Sequence, residues 1–344
     1  MLSNKGYVTF FLHVLLAASI ILSACQSSTV SPGGESQLPT PGLEESASET
    51  PTTVPQSTIP EPKGETAGAT SENGLIINED VRRSALFNIN TLAYELPGME
   101  EVEVVNITYA FHEDQPLTMD VYYPPGTPAD AQLPVVVFGL GYRMSSESLR
   151  DAHFYTSWGR LVAAAGMVGI SYDTEQPDRD LETLMTFIQD NAEALKIDPA
   201  QIGLMSSSAN VPTVMSYLMQ EGRSRIQFGV YYYGLSLTPD HKYTEAFGES
   251  CAQRGCLVNE LADVTYVDPD LPLFIVKAGR DFIPNINEAW DHFIAYVREA
   301  GAPVTVVEYE DGQHGFDTQQ KTEESAEIIA QTVDFMKTNF GMDH

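Results

Sequence analysis

The chain has 344 residues, with 18 Lys and Arg against 48 Asp and Glu, for a formal net charge of −30. A surface this acidic repels nucleic-acid phosphates and anionic lipid heads, which argues against nucleic acid as a partner. The first part of the chain does not read as globular, leaving one domain of about 260 residues, long enough to bury a full core.

Lys5 precedes an apolar run from Tyr7 to Leu22. A charged start followed by a run too short to span a bilayer comfortably reads as an export signal. Leu22-Ser23-Ala24-Cys25 closes the run and resembles the lipobox of bacterial lipoprotein signal peptides. The resemblance implies removal of residues 1–24, a diacylglyceryl thioether on Cys25 and an acylated amine. It therefore implies an extracytoplasmic protein anchored to the cell membrane by its lipid. The alternative is an ordinary signal peptide with a chance cysteine. Residues 25–79 are rich in Ser, Thr, Pro, Glu and Gly. Such a segment buries too little apolar surface to offset its ordering entropy, so it reads as a tether.

From about residue 80 the pattern becomes that of a folded domain. Val81 to Tyr94 has mixed helical spacing and is expected to form a packing helix. Glu103 to Phe111 and Leu117 to Tyr123 read as strands, close enough to form an antiparallel hairpin. Leu133 to Phe138 is a continuous apolar run, as in a strand buried on both faces. The spacing predicts a helix over Trp158 to Ala165, a strand over Met167 to Tyr172 and a helix over Leu181 to Leu195. A strand over 201–205 leads into a serine-bearing turn and a helix ending near Met219. Strands over Gln227 to Tyr233, Leu273 to Ala278 and Val304 to Tyr309 follow, with helices over Ile286 to Ala300 and Ala326 to Asn339. The count is eight strands in alternation with helices, which predicts an α/β domain built on a mostly parallel sheet.

Three of the strand ends carry chemistry. Ser208 follows strand 201–205, Asp281 follows strand 273–278, and His314 follows strand 304–309. A serine hydroxyl is a weak nucleophile until a base removes its proton. A histidine does so near neutral pH, and a carboxylate fixes the histidine's tautomer. In parallel sheets, ligands bind at the carboxyl ends of strands. Asp311 and Asp317 are weaker candidates for the acid. His112, His153, His241 and His292 lack the strand-end context of His314.

Ser, then Asp, then His is the chain order of the triad in α/β-hydrolases. Over roughly residues 100–340 the layout resembles that fold, and most closely its esterase and dienelactone-hydrolase-like members. The resemblance implies a carboxylic ester hydrolase working through an acyl-enzyme, with no cofactor and no metal. It implies Ser208 as nucleophile, His314 as base and Asp281 as orienting acid. Ser206 and Asn210 stand two residues either side of Ser208, where the family usually has glycine. The oxyanion donors are expected at the N–H groups of Ala209 and Tyr142. Leu140-Gly141-Tyr142 stands where esterases commonly show His-Gly-Gly, and Gly141 would let the backbone approach substrate. Gly141, Phe282 and Phe316 are expected to line the pocket. Tyr231-Tyr232-Tyr233 reads as sheet packing.

Residues 234–271 form a long connection, expected to be a small cap. Within it, Cys251 and Cys256 bracket Ala-Gln-Arg-Gly. Outside the cytoplasm the pair reads as a disulfide. A two-ligand metal site is the alternative, but His or Cys partners are lacking nearby. Two rival functions are a serine peptidase of the same fold and a non-catalytic surface binding module.

Overall fold

The computed structural model describes residues 69–71, 73–78, 90–141, 149–223, 225–237, 264 and 266–342. The expected features at Cys25, the tether before residue 69, the Cys251–Cys256 pair, Tyr142 and most of the 234–271 insertion lie outside those residues.

Among the described residues ten strands form one central sheet, in the order β1-β2-β3-β4-β6-β5-β7-β8-β9-β10. Strand β3 (Glu103–His112) turns into β4 (Gln115–Tyr123) through Glu113 and Asp114. Glu113 takes the positive φ of 54° that such a two-residue connection needs. Strand β4 then pairs antiparallel with β6 (Val168–Tyr172). From β6 onward all neighbours are parallel: β5 (Leu133–Phe138), β7 (Ile197–Ser207), β8 (Ile226–Tyr232), β9 (Leu273–Ala278) and β10 (Val304–Tyr309).

The expected count of eight strands is exceeded by β1 (Ala69–Thr70) and β2 (Ile76–Ile77) at the antiparallel edge. Two residues are too few to show an alternation, so neither has a sequence signal. Strand β7 is also longer than its expected 201–205. Its early part carries Pro199, which cannot donate to a neighbour, and the β5–β7 pairing shifts register between Leu133 and Val135.

Helix α1 (His153–Ala164) packs on β6 and β4 and buries Trp158 completely. Helix α2 (Pro177–Asp190) begins earlier than the expected Leu181. Pro177 suits the first turn, and Asp180 Oδ2 accepts the N–H groups of Glu175 and Gln176, each at 2.7 Å. Helix α3 (Val211–Leu218) packs on β7 and β8, and α4 (Ile286–Glu299) on β9 and β10. Short α5 (Phe316–Gln319) and α6 (Glu323–Asn339) complete the set among the described residues.

The helix expected over Val81 to Tyr94 falls partly outside the described residues, and its described end is not helical. There Asn90 Oδ1 accepts the N–H of Leu92 at 3.1 Å, and the Thr91 N–H donates to Ser157 Oγ at 3.1 Å. One local side-chain bond and one to Ser157, 66 positions on, take the place of the helical ladder there. Among the described residues no helix is long and apolar enough to cross a membrane.

Candidate active site

The carboxyl ends of β7, β9 and β10 bring Ser208, Asp281 and His314 together. Strand β7 is buried from Ile202 to Ser207 and stops abruptly. Ser208 then adopts φ of +54°, and a tight turn over Ser208–Asn210 leads into α3. A left-handed residue that is not glycine is strained, and such strain collects at functional sites. The turn lifts Ser208 and Ala209 out of the buried run, so both are partly exposed. Pro212 falls in the first turn of α3, where a missing N–H costs least.

Ser208 Oγ lies 2.7 Å from His314 Nε2. His314 Nδ1 lies 2.7 Å from Asp281 Oδ2. The Asp281 side chain is only 1% exposed, and its other oxygen accepts the N–H of Ile283 at 2.9 Å. A carboxylate facing Nδ1 holds the proton on that nitrogen and leaves Nε2 free to accept the serine proton. Two backbone bonds tie the acid and base loops together. Gly279 N–H donates to Tyr309 C=O and Arg280 N–H to Gly312 C=O, both at 2.8 Å.

The other acids considered lie elsewhere. Asp311 forms an exposed ion pair with Arg280. Asp317 is fully buried and accepts from Trp158 Nε1 at 2.8 Å and from the Tyr233 hydroxyl at 2.5 Å. Burial pushes its carboxyl above the usual range, against the pull of those donors. The same burial pushes the Tyr233 hydroxyl well up.

Tyr233 was not expected at the site. It stands one residue past β8 and packs its ring on His314, with centroids 4.9 Å apart. Phe282, 41% exposed, also lies against the imidazole, at 5.2 Å. Asp317 therefore holds Tyr233, and the rings of Tyr233 and Phe282 both pack on the histidine. Tyr231 and Tyr232 are buried sheet packing, as expected.

Phe316 departs from its expected place in the pocket. It is completely buried, stacked on Tyr232 at 5.5 Å and set edge-on to Tyr309. Gly315 takes φ of +77°, which turns α5 and its first residue inward.

The loop Gly139-Leu140-Gly141 after β5 faces the Ser208 turn. Gly141 is buried, and a Cβ there would sit 2.6 Å from the Asn210 backbone. Only glycine fits this approach. Among the described residues, no group of three or more His, Cys, Asp or Glu side chains could hold a metal ion.

No model of a known protein family matches the sequence, and no curated protein does. Solved structures match by shape. The native form of a thermophilic esterase from the Planctomycetes species Thermogutta terrifontis aligns with a TM-score of 0.54 at 16% identity, covering 71% of this chain and 94% of that one. Its esterase 2 phosphonylated by sarin aligns at 0.55 and 17%, covering 71% and 96%. The form phosphorylated by paraoxon aligns at 0.52 and 17%, covering 71% and 95%. The likeness identifies the fold of this chain as that of the α/β-hydrolases.

Proposed function

We propose that the protein is a serine hydrolase that cleaves carboxylic esters through an acyl-enzyme. The observation that carries the reading is the continuous relay from Ser208 Oγ through His314 to Asp281, with both contacts at 2.7 Å. Shared fold with an esterase supports it. Ser208 Oγ attacks the ester carbonyl while Nε2 of His314 takes the hydroxyl proton. The tetrahedral oxyanion is held by backbone N–H groups, one from Ala209 and one from Tyr142. Collapse breaks the bond to the alcohol oxygen, which leaves with the proton from Nε2. Water then attacks the acyl carbon, gives its proton to the same nitrogen, and Ser208 is released with the acid. The reaction requires no cofactor and no metal.

Tyr142 is assigned because the N–H groups before it in the loop are engaged. Gly139 donates to Met205 C=O at 2.8 Å, Leu140 to the Tyr172 hydroxyl at 3.0 Å, and Gly141 to Asn210 Oδ1 at 2.8 Å. Exposed Phe282 beside His314 is a candidate wall of the substrate pocket. The same reading extends to cellular placement. Residues 1–24 direct export, Cys25 carries the lipid anchor, and residues 25–79 tether the catalytic domain above the membrane. Cys251 and Cys256 pair as a disulfide in that oxidising setting.

A fluorophosphonate probe tests the chemistry. The parent should gain one adduct mass, mapping to the peptide that contains Ser208, and Ser208→Ala should stay unlabelled. A folded parent that takes no label would favour the non-catalytic binding module.

A further inference from the structure

Asn210 occupies a position where bulk is unexpected, yet it is only 6% exposed and both its polar atoms are used. Oδ1 accepts the N–H of Gly141 at 2.8 Å, and Nδ2 donates to the Tyr155 hydroxyl at 2.9 Å. A backbone N–H can only donate, so the atom facing it must be Oδ1 and Nδ2 must point to Tyr155. On the other side of the nucleophile, Ser206 Oγ donates to Gly139 C=O at 3.1 Å. The two flanks of Ser208 thus grip both ends of Gly139-Leu140-Gly141. Thr213 Oγ1 adds a contact to Gly141 C=O at 3.4 Å.

We propose that Asn210 is a positioning residue for oxyanion stabilisation. It braces Gly141 against the Ser208–Asn210 turn, and so holds that turn, with the Ala209 N–H, in place around the oxyanion formed at Ser208. Tyr155 in turn fixes Asn210. The proposal rests on the ester-hydrolase reading. Donors act strongly on developing charge only if they are held in place beforehand. A misplacement of about 1 Å costs on the order of 100-fold in rate. No hydrogen bond of the Asn210 side chain among the described residues reaches Ser208, His314 or Asp281. Its removal should therefore loosen the loop and leave the relay intact.

The test is steady-state hydrolysis of p-nitrophenyl acetate by the full-length chain and four variants: Asn210→Ala, Tyr155→Phe, the double variant and Ser208→Ala. Asn210→Ala should lower kcat on the order of 100-fold. Its KM should change little, because the donor acts on charge present only in the transition state. Tyr155→Phe should lower kcat by about three- to tenfold, through a looser Asn210. The double variant should fall no further than Asn210→Ala, as expected for residues acting in series. A role confined to stability would lower Tm and leave kcat at the parental value, and that result overturns the proposal. Additive losses in the double variant overturn it as well. If Asn210→Ala does not fold, Tyr155→Phe decides, and parental kcat there counts against the proposal. A parent without Ser208-dependent turnover removes the ester-hydrolase reading and this proposal with it. A parent with such turnover and unaltered variants removes this proposal alone.

Discussion

Replacing Ser208 by glycine should stabilise the fold relative to replacing it by alanine. Ser208 sits at φ of +54°. For a residue with a Cβ, the left-handed region costs about 1–2 kcal/mol, and alanine keeps that cost. Glycine escapes it but gives up about 0.5–1 kcal/mol more chain entropy on folding. The difference leaves Ser208→Gly more stable than Ser208→Ala by up to about 1.5 kcal/mol. At an ordinary position the sign reverses, because only the entropy cost of glycine remains. Both variants lose the Oγ contact with His314 equally, so that loss cancels in the comparison. Urea unfolding followed by tryptophan fluorescence suits the measurement, since Trp158 and Trp290 are both completely buried. In thermal melts, each kcal/mol corresponds to about 2–4 °C for a domain of this size. A glycine variant less stable than the alanine variant by about 0.5 kcal/mol or more would refute the strained turn.

Three further outcomes follow from the same geometry. Asp281→Asn should lower kcat on the order of 10³- to 10⁴-fold, because the histidine loses the acceptor that fixes its tautomer; a loss under about tenfold in ester hydrolysis would remove Asp281 from that role. Asp317 has its carboxyl raised by burial, so the fold favours the protonated form. That contribution is complete below the unfolded value and is lost as pH rises through the folded one. Asp317→Asn should therefore gain stability relative to the parent as pH rises above the ordinary carboxyl value of 3.8, and a pH-independent difference in urea midpoints would contradict this. Cys25→Ala should move the protein out of the membrane fraction and out of the detergent phase on phase separation; unchanged membrane retention would argue against the lipid anchor.

Much of the architecture is legible because strands buried on both faces are unbroken apolar runs. Leu133–Phe138 is such a run and Leu273–Ala278 is one broken only by Lys277, whereas the edge strand Val304–Tyr309 is partly exposed and carries Thr305 and Glu308. Ser208, Asp281 and His314 are legible for a related reason, since each follows a strand of the parallel sheet and the sheet brings those ends together. Asn210 shows the limit. As a local feature it is only bulk in a tight turn, and its partner Gly141 lies 69 positions away. No periodicity records that pairing. Tyr233 is similar. It continues a run of tyrosines whose first two members are buried in the sheet, but the backbone leaves the strand with φ of +33° at Tyr233. Its hydroxyl then reaches Asp317 and its ring reaches His314. Phe316 misleads in the opposite direction. Its closeness to His314 in sequence suggests the pocket, whereas the Gly315 turn sends it into the core.

Hydrolysis of p-nitrophenyl acetate by the full-length chain, measured beside Ser208→Ala at equal concentration, tests the central claim most directly. Turnover in the parent that disappears in a folded Ser208→Ala is the predicted result. Turnover that persists in the variant, or a folded parent that releases no nitrophenol, would contradict the assignment of Ser208 as the nucleophile of an ester hydrolase.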